Sequence, residues 1–379
     1  MKFTVTRNSL LNELNLVQGV IEKKSTIPIL SNILMEVMGD HLDITATDID
    51  VTIRCGCPVK VSEEGNTTIA ARRLFEIVRL LPDGSEIEIK LLENNWVELR
   101  SGNSNYKIVA LPKDDFPSIP DAAPTTAMIP GSLLQAMIQR TMFAITQEES
   151  RYSLNGSLLV LQPNLVRMVA TDGHRLALVS KEMEFSGMEG EVRSLIPRKT
   201  LTEIMKLIGD SNASDQQTGI MVEFGRDENH LFFSIGSKRL VSRVMAGQFP
   251  NYELVIPREN DKLVVAGAKA FGDGIRRAAI MSDDKLRTIK LEFRTGELEL
   301  SSISADAGES REVVPIEYEG GNIEIGFNSI YLLDFIGVCG TESVSIAIRD
   351  SETQGLLRPV GQTGSGNLDY RYVVMPMNC

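Results

Sequence analysis

The densest knot of chemically capable side chains in this sequence is Thr171-Asp172-Gly173-His174-Arg175. An imidazole beside a carboxylate could act as a general base. No serine or cysteine nucleophile motif accompanies it. Corresponding turns elsewhere read Asp48-Ile49-Asp50 and Asp306-Ala307-Gly308, and neither keeps a histidine. A catalytic group is not expected in a repeated turn, so no catalytic residue is assigned and the chain reads as a non-enzyme. Metal chemistry is equally unsupported. Cys55-Gly56-Cys57 is too tight for the usual zinc spacing, and Cys339 and Cys379 form no second pair nearby. His41, His174 and His230 are dispersed. The thiols read as plain cysteines of a reducing compartment, and no cofactor is expected. The glycine-rich stretch from Gly361 to Asn367 lacks a phosphate-loop pattern and reads as a mobile hairpin or loop.

The knot closes a hairpin. Leu158-Leu159-Val160-Leu161 and Val166 to Ala170 flank the turn Gln162-Pro163-Asn164. The same design occurs at Ile33 to Thr47, which ends in Thr47-Asp48. It occurs again at Thr288 to Ser304, with Gly296 at its turn and Ser304-Ala305-Asp306 beyond it. Helical stripes recur in step. Leu74, Ile77, Val78 and Leu81 are followed 127 residues on by Leu201, Ile204, Met205 and Ile208, and 131 residues after that by Leu332, Phe335, Ile336 and Cys339. These helices are expected to stop at Pro82-Asp83-Gly84, Gly209-Asp210 and Gly340-Thr341. Strands should follow at 86–91, 220–224 and 344–348.

A second helix heads each repeat. Leu10, Leu14, Val17 and Ile21 mark the first, with Ser9 as candidate N-cap. Leu134, Met137, Ile138, Thr141 and Ile145 mark the second. Phe271, Ile275 and Ala278 mark the third, despite Gly272 and Gly274. A short strand precedes each, at 2–5, 127–129 and 263–265. The repeats predict three similar domains, 1–125, 126–257 and 258–379, each running strand–helix–strands–helix–strands. The fold class is α+β, with two helices on one face of antiparallel sheets. Hydrophobic residues make up 42% of the chain, so each domain can fill its own core. No apolar run is long enough to span a membrane, and the chain starts directly with an alternating strand, so it reads as cytoplasmic.

The net charge is −12, which by itself argues against a polyanionic partner. Its distribution reverses that reading. The six helix windows (8–24, 71–81, 131–146, 197–208, 268–281 and 328–339) together carry +6, leaving −18 on the remainder. Helices sharing one side would make a cationic surface on an anionic body. No base-reading motif is present, so the implied contact is with the phosphate backbone and is independent of sequence.

The order of KFTV (2–5), TIPIL (26–30), RYSLNG (151–156), ATDGHRLA (170–177), IPRK (196–199), FPNY (249–252), GFNSIYL (326–332) and YVVMPM (372–377) resembles the bacterial DNA polymerase III beta subunit family. The resemblance runs from residue 2 to residue 377. It implies half of a closed ring, completed by a second copy as a homodimer, with helices lining the hole and sheets forming the wall. Duplex DNA would pass through the hole. A separate clamp loader would place the ring, and the DNA polymerase III catalytic subunit, other polymerases and repair factors would dock on it.

By family position, Lys24, Arg72, Gln147, Arg151 and Tyr152 would face DNA, with Arg198 and Lys199 nearby. Glu148 falls among them, although a carboxylate is a poor phosphate partner. The partner-peptide groove carries over to Leu154, Thr171, Gly173, His174, Arg175, Leu176, Pro250, Leu254, Val255, Asn328, Tyr331, Val373, Met375, Pro376 and Met377. Leu254 replaces a common arginine, which should make this groove more apolar. At the dimer seam, Tyr106 and Ile108 would meet the helix end near Ile280 and Met281, and a charge at Ile108 is expected to yield monomers. A structural repeat protein with no role on DNA would share the domain pattern, but its retention would not depend on DNA topology.

Overall fold

The computed structural model describes residues 1–21, 27–148, 150–214, 219–304, 308–361 and 368–378. One plan is executed three times. The first pass is β1 (Lys2–Thr6), α1 (Arg7–Val17), β2 (Asn32–Met38), β3 (His41–Thr47), β4 (Val51–Pro58), β5 (Lys60–Glu63), β6 (Gly65–Ala70), α2 (Ala71–Leu80), β7 (Glu86–Leu91), β8 (Trp96–Ser101) and β9 (Ser104–Leu111). The second is β10 (Thr125–Pro130), α3 (Gly131–Thr141), β11 (Gly156–Gln162), β12 (Leu165–Thr171), β13 (Arg175–Glu182), β14 (Val192–Pro197), α4 (Arg198–Ser214), β15 (Met221–Arg226), β16 (His230–Ile235) and β17 (Lys238–Arg243). The third is β18 (Lys262–Gly267), α5 (Ala268–Ala278), β19 (Thr288–Arg294), β20 (Glu297–Ser304), β21 (Gly308–Glu317), β22 (Ile323–Asn328), α6 (Ser329–Cys339), β23 (Ser343–Ile348), β24 (Gly355–Val360) and β25 (Asp369–Val374). Among the described residues only β5 has no counterpart in the other two passes.

Packing divides the chain into two units, 1–135 with 199–244, and 136–198 with 245–379. In the first, strands hydrogen-bond in the order β10-β15-β16-β17-β4-β3-β2-β6-β9-β8-β7-β1-β5. In the second, the order is β14-β11-β12-β13-β25-β24-β23-β18-β21-β20-β19-β22. Neither sheet stops at a domain boundary. β17 of the second domain pairs antiparallel with β4 of the first, Leu240 opposite Ile53. β13 of the second pairs with β25 of the third, Leu176 opposite Val373. Both junctions join the same kinds of strand, the last strand of one domain and the fourth strand in chain order of its neighbour: β17 and β25 are equivalents, as are β4 and β13.

The helical stripes behave as their spacing requires. Leu74 and Val78, Leu201 and Ile204, and Leu332 and Phe335 are buried, each burial contributing about 1.5–3 kcal/mol. Gly272 and Gly274 fit an otherwise helical pattern because α5 presses close to its neighbours. A Cβ on Gly274 would come within 2.8 Å of Val314 Cγ2 and 2.9 Å of Leu300 Cδ1. At α6, Asn328 accepts a hydrogen bond from the Ile330 amide, and Gly340 ends the helix in the left-handed region at φ 69°.

Four local expectations need correction. The N-cap of α1 is Thr6, whose hydroxyl accepts from the Ser9 amide; Ser9 lies one turn inside. Ile21 and Ile145 lie beyond the α-helices whose stripes they were expected to extend. α4 does not stop at Gly209-Asp210 but continues to Ser214, because Lys238 on β17 binds the Asp210 carboxylate and the Ser211 hydroxyl and holds the extra turn. Ile108 is 5% exposed and belongs to the core of its own domain, so a charge there would attack folding before it tested any seam. The glycine-rich segment and Asp306 fall outside the described residues, apart from Gly361.

Candidate functional site

The knot 171–175 is built from side-chain bonds to its own backbone. Asp172 Oδ1 accepts from the amides of His174 and Arg175, both at 3.0 Å, and Thr171 Oγ1 accepts from Gly173 N at 3.1 Å. The first domain repeats this bond for bond. Asp48 Oδ1 accepts from Asp50 N and Val51 N, and Thr47 Oγ1 from Ile49 N. Gly173 has φ 92°, and its counterpart Ile49 has φ 82°. The turn thus demands a left-handed residue, which glycine supplies and isoleucine tolerates under strain. Each Asp then uses its second oxygen at a domain junction. Asp48 Oδ2 binds the Lys199 ammonium. Asp172 Oδ2 accepts from Arg175 Nε at 3.0 Å.

Arg175 is the centre of the second junction. Its side chain is 9% exposed. Nη1 donates to Asp334 of α6 at 2.6 Å, and Nη2 to the Phe143 carbonyl at 2.8 Å. The Tyr331 ring lies 4.3 Å from its Cζ. Burial alone would lower its pKa, but Tyr372, Asp334 and Asp172 outweigh that and hold it above the ordinary arginine value. Burial pushes the Tyr331 phenol up, with the Asp172 charge adding to it. The same physics argues against a reactive thiolate at Cys55 or Cys57: burial raises Cys55, and Cys57 rises to about 12.

Beside Arg175 the core opens as an apolar pocket of about 130 Å³, lined by Leu154, Thr171, Gly173, Arg175, Leu176, Pro250, Tyr252, Val255, Val373 and Met375. Its floor is the buried cluster containing Val169, Leu176, Leu178, Phe249, Tyr252 and Val373. Met375 is fixed by its amide, which donates to the His174 carbonyl at 2.9 Å. Such a surface suits apolar side chains of a short peptide, with methionine able to adapt.

Six residues expected in the groove do not line this pocket. Leu254 is 79% exposed. It lies in a 3-10 turn, Tyr252–Leu254, whose three-residue period sets Tyr252 and Val255 on one side and Leu254 off it. Asn328 caps α6, with its amide group donating to the Leu286 carbonyl. Met377 is bridged to Gly326. His174 is exposed, Pro376 is half-buried, and Tyr331 contributes through Arg175. The sequence reading missed Tyr252 and Asp334. Tyr252 was visible as the end of FPNY. Asp334 was visible as the lone charge on an otherwise apolar helix, and it gives that window its exceptional −1.

The candidate phosphate contacts are described within each unit. Lys24 lies outside the described residues. In the first unit Arg72 is exposed and pairs with Glu76 at 3.1 Å, while Lys199 is half-exposed and holds Asp48. In the second, Gln147 and Arg151 are exposed and Tyr152 is 72% exposed. Arg151 binds Glu148 at 3.0 Å and the Asp172 carbonyl at 3.0 Å, so Glu148 orients an arginine. Arg198 Nη1 reaches the Ile145 carbonyl at 3.4 Å. Other helix cations are similarly held, as in Lys206–Glu203, Arg276–Asp273 and Arg277–Glu312. The Glu203 carboxylate is buried, but exposed pairs such as Arg72–Glu76 and Arg276–Asp273 are worth only about 0.2–1 kcal/mol each, so a phosphate can displace their carboxylates. Among the described residues no helix is long and apolar enough to cross a membrane, and no group of three His, Cys, Asp or Glu side chains could hold a metal ion.

Family models of the DNA polymerase III beta subunit match this chain three times in succession. The N-terminal domain matches residues 1–120, the central domain 128–251 and the C-terminal domain 253–378. The beta sliding clamp of Pseudomonas putida is 37% identical over 379 residues, covering 100% of both chains. The crystal structure of the DNA polymerase III subunit beta from Pseudomonas aeruginosa is similar with a TM-score of 0.92 at 35% identity, covering 100% of each chain. A sliding clamp from Pseudomonas aeruginosa bound to griselimycin gives a TM-score of 0.92 at 36% identity, again over 100% of both.

Proposed function

The chain belongs to the DNA polymerase III beta subunit family, and from that membership we propose that two copies close into a ring around duplex DNA. It is a non-catalytic processivity factor. The ring slides without sequence preference and tethers its partners through the apolar pocket beside Arg175. Those partners are the DNA polymerase III catalytic subunit, the clamp loader, and other polymerases and repair factors that carry an apolar docking peptide. We take the domains as 1–125, 126–257 and 258–379, and the compartment as the cytoplasm.

The observation that carries the ring is a junction used twice and left open once. β4 receives β17, and β13 receives β25. The third members of these sets are β21 and β9. β21 pairs with β20 along its length but with β18 only at Ile316 and Glu317. β9 pairs with β8 but with β6 only at Ala110 and Leu111. Among the described residues each therefore keeps an open edge with exposed apolar side chains nearby: Tyr106 and Val109 for β9, Val313 and Ile280 for β21. An open edge of this kind invites another strand. Joining β21 of one protomer to β9 of its partner repeats the internal junction and closes both seams by two-fold symmetry. Tyr106, Ile280 and Met281 are the side chains we assign to that seam; Ile108 supports it from beneath.

Sliding needs attraction without a preferred register. Exchangeable cations such as Arg72 and Arg151, with Lys24, Gln147, Tyr152, Arg198 and Lys199, would meet phosphates in turn while enclosure supplies the residence time. Ile280, 71% exposed, can be changed without disturbing a core. Ile280→Asp is expected to leave the circular dichroism spectrum unchanged. By light scattering at micromolar concentration it should have the mass of one chain, where the natural sequence has that of two. In primer extension with a cognate polymerase and loader, its product lengths should fall to those of the polymerase alone. A dimeric Ile280→Asp protein that still supports long products would refute the seam.

A further inference from the structure

On β25, Tyr370 and Tyr372 point toward helices: their hydroxyls donate to the Arg140 carbonyl of α3 and the Tyr331 carbonyl of α6. Side chains of the other parity therefore face the opposite side of the sheet. On that side the register forms three rows across β12, β13 and β25. Thr171, Leu176 and Val373 line the apolar pocket; Val169, Leu178 and Arg371 come next; Arg167, Ser180 and Asp369 follow. Successive rows are about 6.6–7 Å apart, so the last lies roughly 13 Å from the pocket.

There the surface becomes a second cavity of about 450 Å³, walled by Tyr252, which it shares with the apolar pocket. Four arginines line it, Arg167, Arg258, Arg358 and Arg371, against two carboxylates, Glu253 and Asp369. Arg371 is held by Asp369 at 2.6 Å. Arg167 donates to the Tyr252 hydroxyl at 2.9 Å and reaches Glu253 at 3.4 Å, yet its buried Nε has no hydrogen-bond partner. The guanidinium groups of Arg258 and Arg358 are exposed and have no acidic partner among the described residues. The cavity is thus a cationic spot on a chain of net charge −12.

We propose that this cavity binds carboxylate side chains of an acidic segment flanking the partner peptide, about four extended residues from the apolar anchor. The proposal rests on the reading of the apolar pocket as the peptide site. Separate arginine forks interleaved with carboxylates suit discrete carboxylates better than a continuous phosphate backbone. The position on the sheet face away from α3 and α6, end to end with the apolar pocket, selects peptide as the occupant.

The test uses fluorescent peptides of about ten residues. Each has two leucines as anchor and either Glu-Glu or Gln-Gln four residues away, on the N-terminal side in one pair and on the C-terminal side in another. They are titrated against the full-length natural protein and the R258A/R358A double variant. The expected result is that one acidic peptide binds the natural protein about tenfold tighter than its glutamine twin. That advantage should vanish in the variant and in high salt, while the glutamine peptide binds both proteins alike. If the glutamine peptides bind but neither acidic placement adds affinity, the proposal falls and the pocket reading stands. If no peptide binds the natural protein, both fall. If the variant loses affinity for a duplex oligonucleotide while its peptide affinities stay unchanged, the cavity belongs to nucleic acid and the proposal is overturned.

Discussion

Arg175→Ala should destabilise the β13–β25 junction by about 3 kcal/mol, accelerating exchange of its ladder amides roughly a hundredfold. The figure follows from what the substitution leaves behind. Asp172 and Asp334 lose their shared cation, the Phe143 carbonyl loses its donor, and Tyr331 loses the guanidinium on its ring. Removing one partner of a buried pair costs about 3–5 kcal/mol. The lower end applies because Asp334 is about a third exposed and Asp172 keeps its two backbone donors. Arg175→Lys should recover only part, since an ammonium cannot reproduce the fork to both carboxylates and the carbonyl. Hydrogen exchange on β13 and β25 checks this directly. Unchanged protection in the alanine variant would mean that the arginine is not the clasp between the second and third domains.

The other large effect concerns binding. Met375→Glu should weaken the two-leucine glutamine peptide by at least about a hundredfold while leaving the unfolding transition nearly unmoved. Met375 is half-buried at the pocket wall, so the free protein can keep the new carboxylate in water. A bound apolar side chain would strip that water away, and an unpaired charge left dry costs several kcal/mol. Titration by fluorescence anisotropy measures it. Equal affinity in the variant would remove Met375 from the peptide site.

The elements of the fold were legible wherever local periodicity controls structure. The stripes Leu74–Val78 and Leu201–Ile204 and the hairpin around Pro163-Asn164 form where expected. Two matching turns betrayed the repeat because each needs the same Thr–Asp chemistry. What stayed hidden depends on partners distant in sequence. Nothing local to Asp210 announces that Lys238 will extend its helix. Nothing in Leu240 or Ile53 announces that two domains share a sheet. Of the groove residues that the family resemblance implies, Leu154, Thr171, Gly173, Arg175, Leu176, Pro250, Val255, Val373 and Met375 line the apolar pocket. Leu254, carried over by family position, does not line it, because the phase of a three-residue turn decides which side chain faces in. Asn328, also carried over by family position, is committed to a helix end and to the Leu286 carbonyl.

In the proposed dimer, pairing β21 with the partner's β9 would turn two half-rings into a closed track, and enclosure rather than contact strength would then govern how long the protein stays on DNA. Loading the protein onto a nicked circle, removing the loader and cutting the circle once tests this directly. The account predicts that protein on the intact circle persists through gel filtration and that a single cut releases it within the time needed to slide off an end. Equal retention on the circular and linear forms would contradict enclosure and leave a protein that grips its guest.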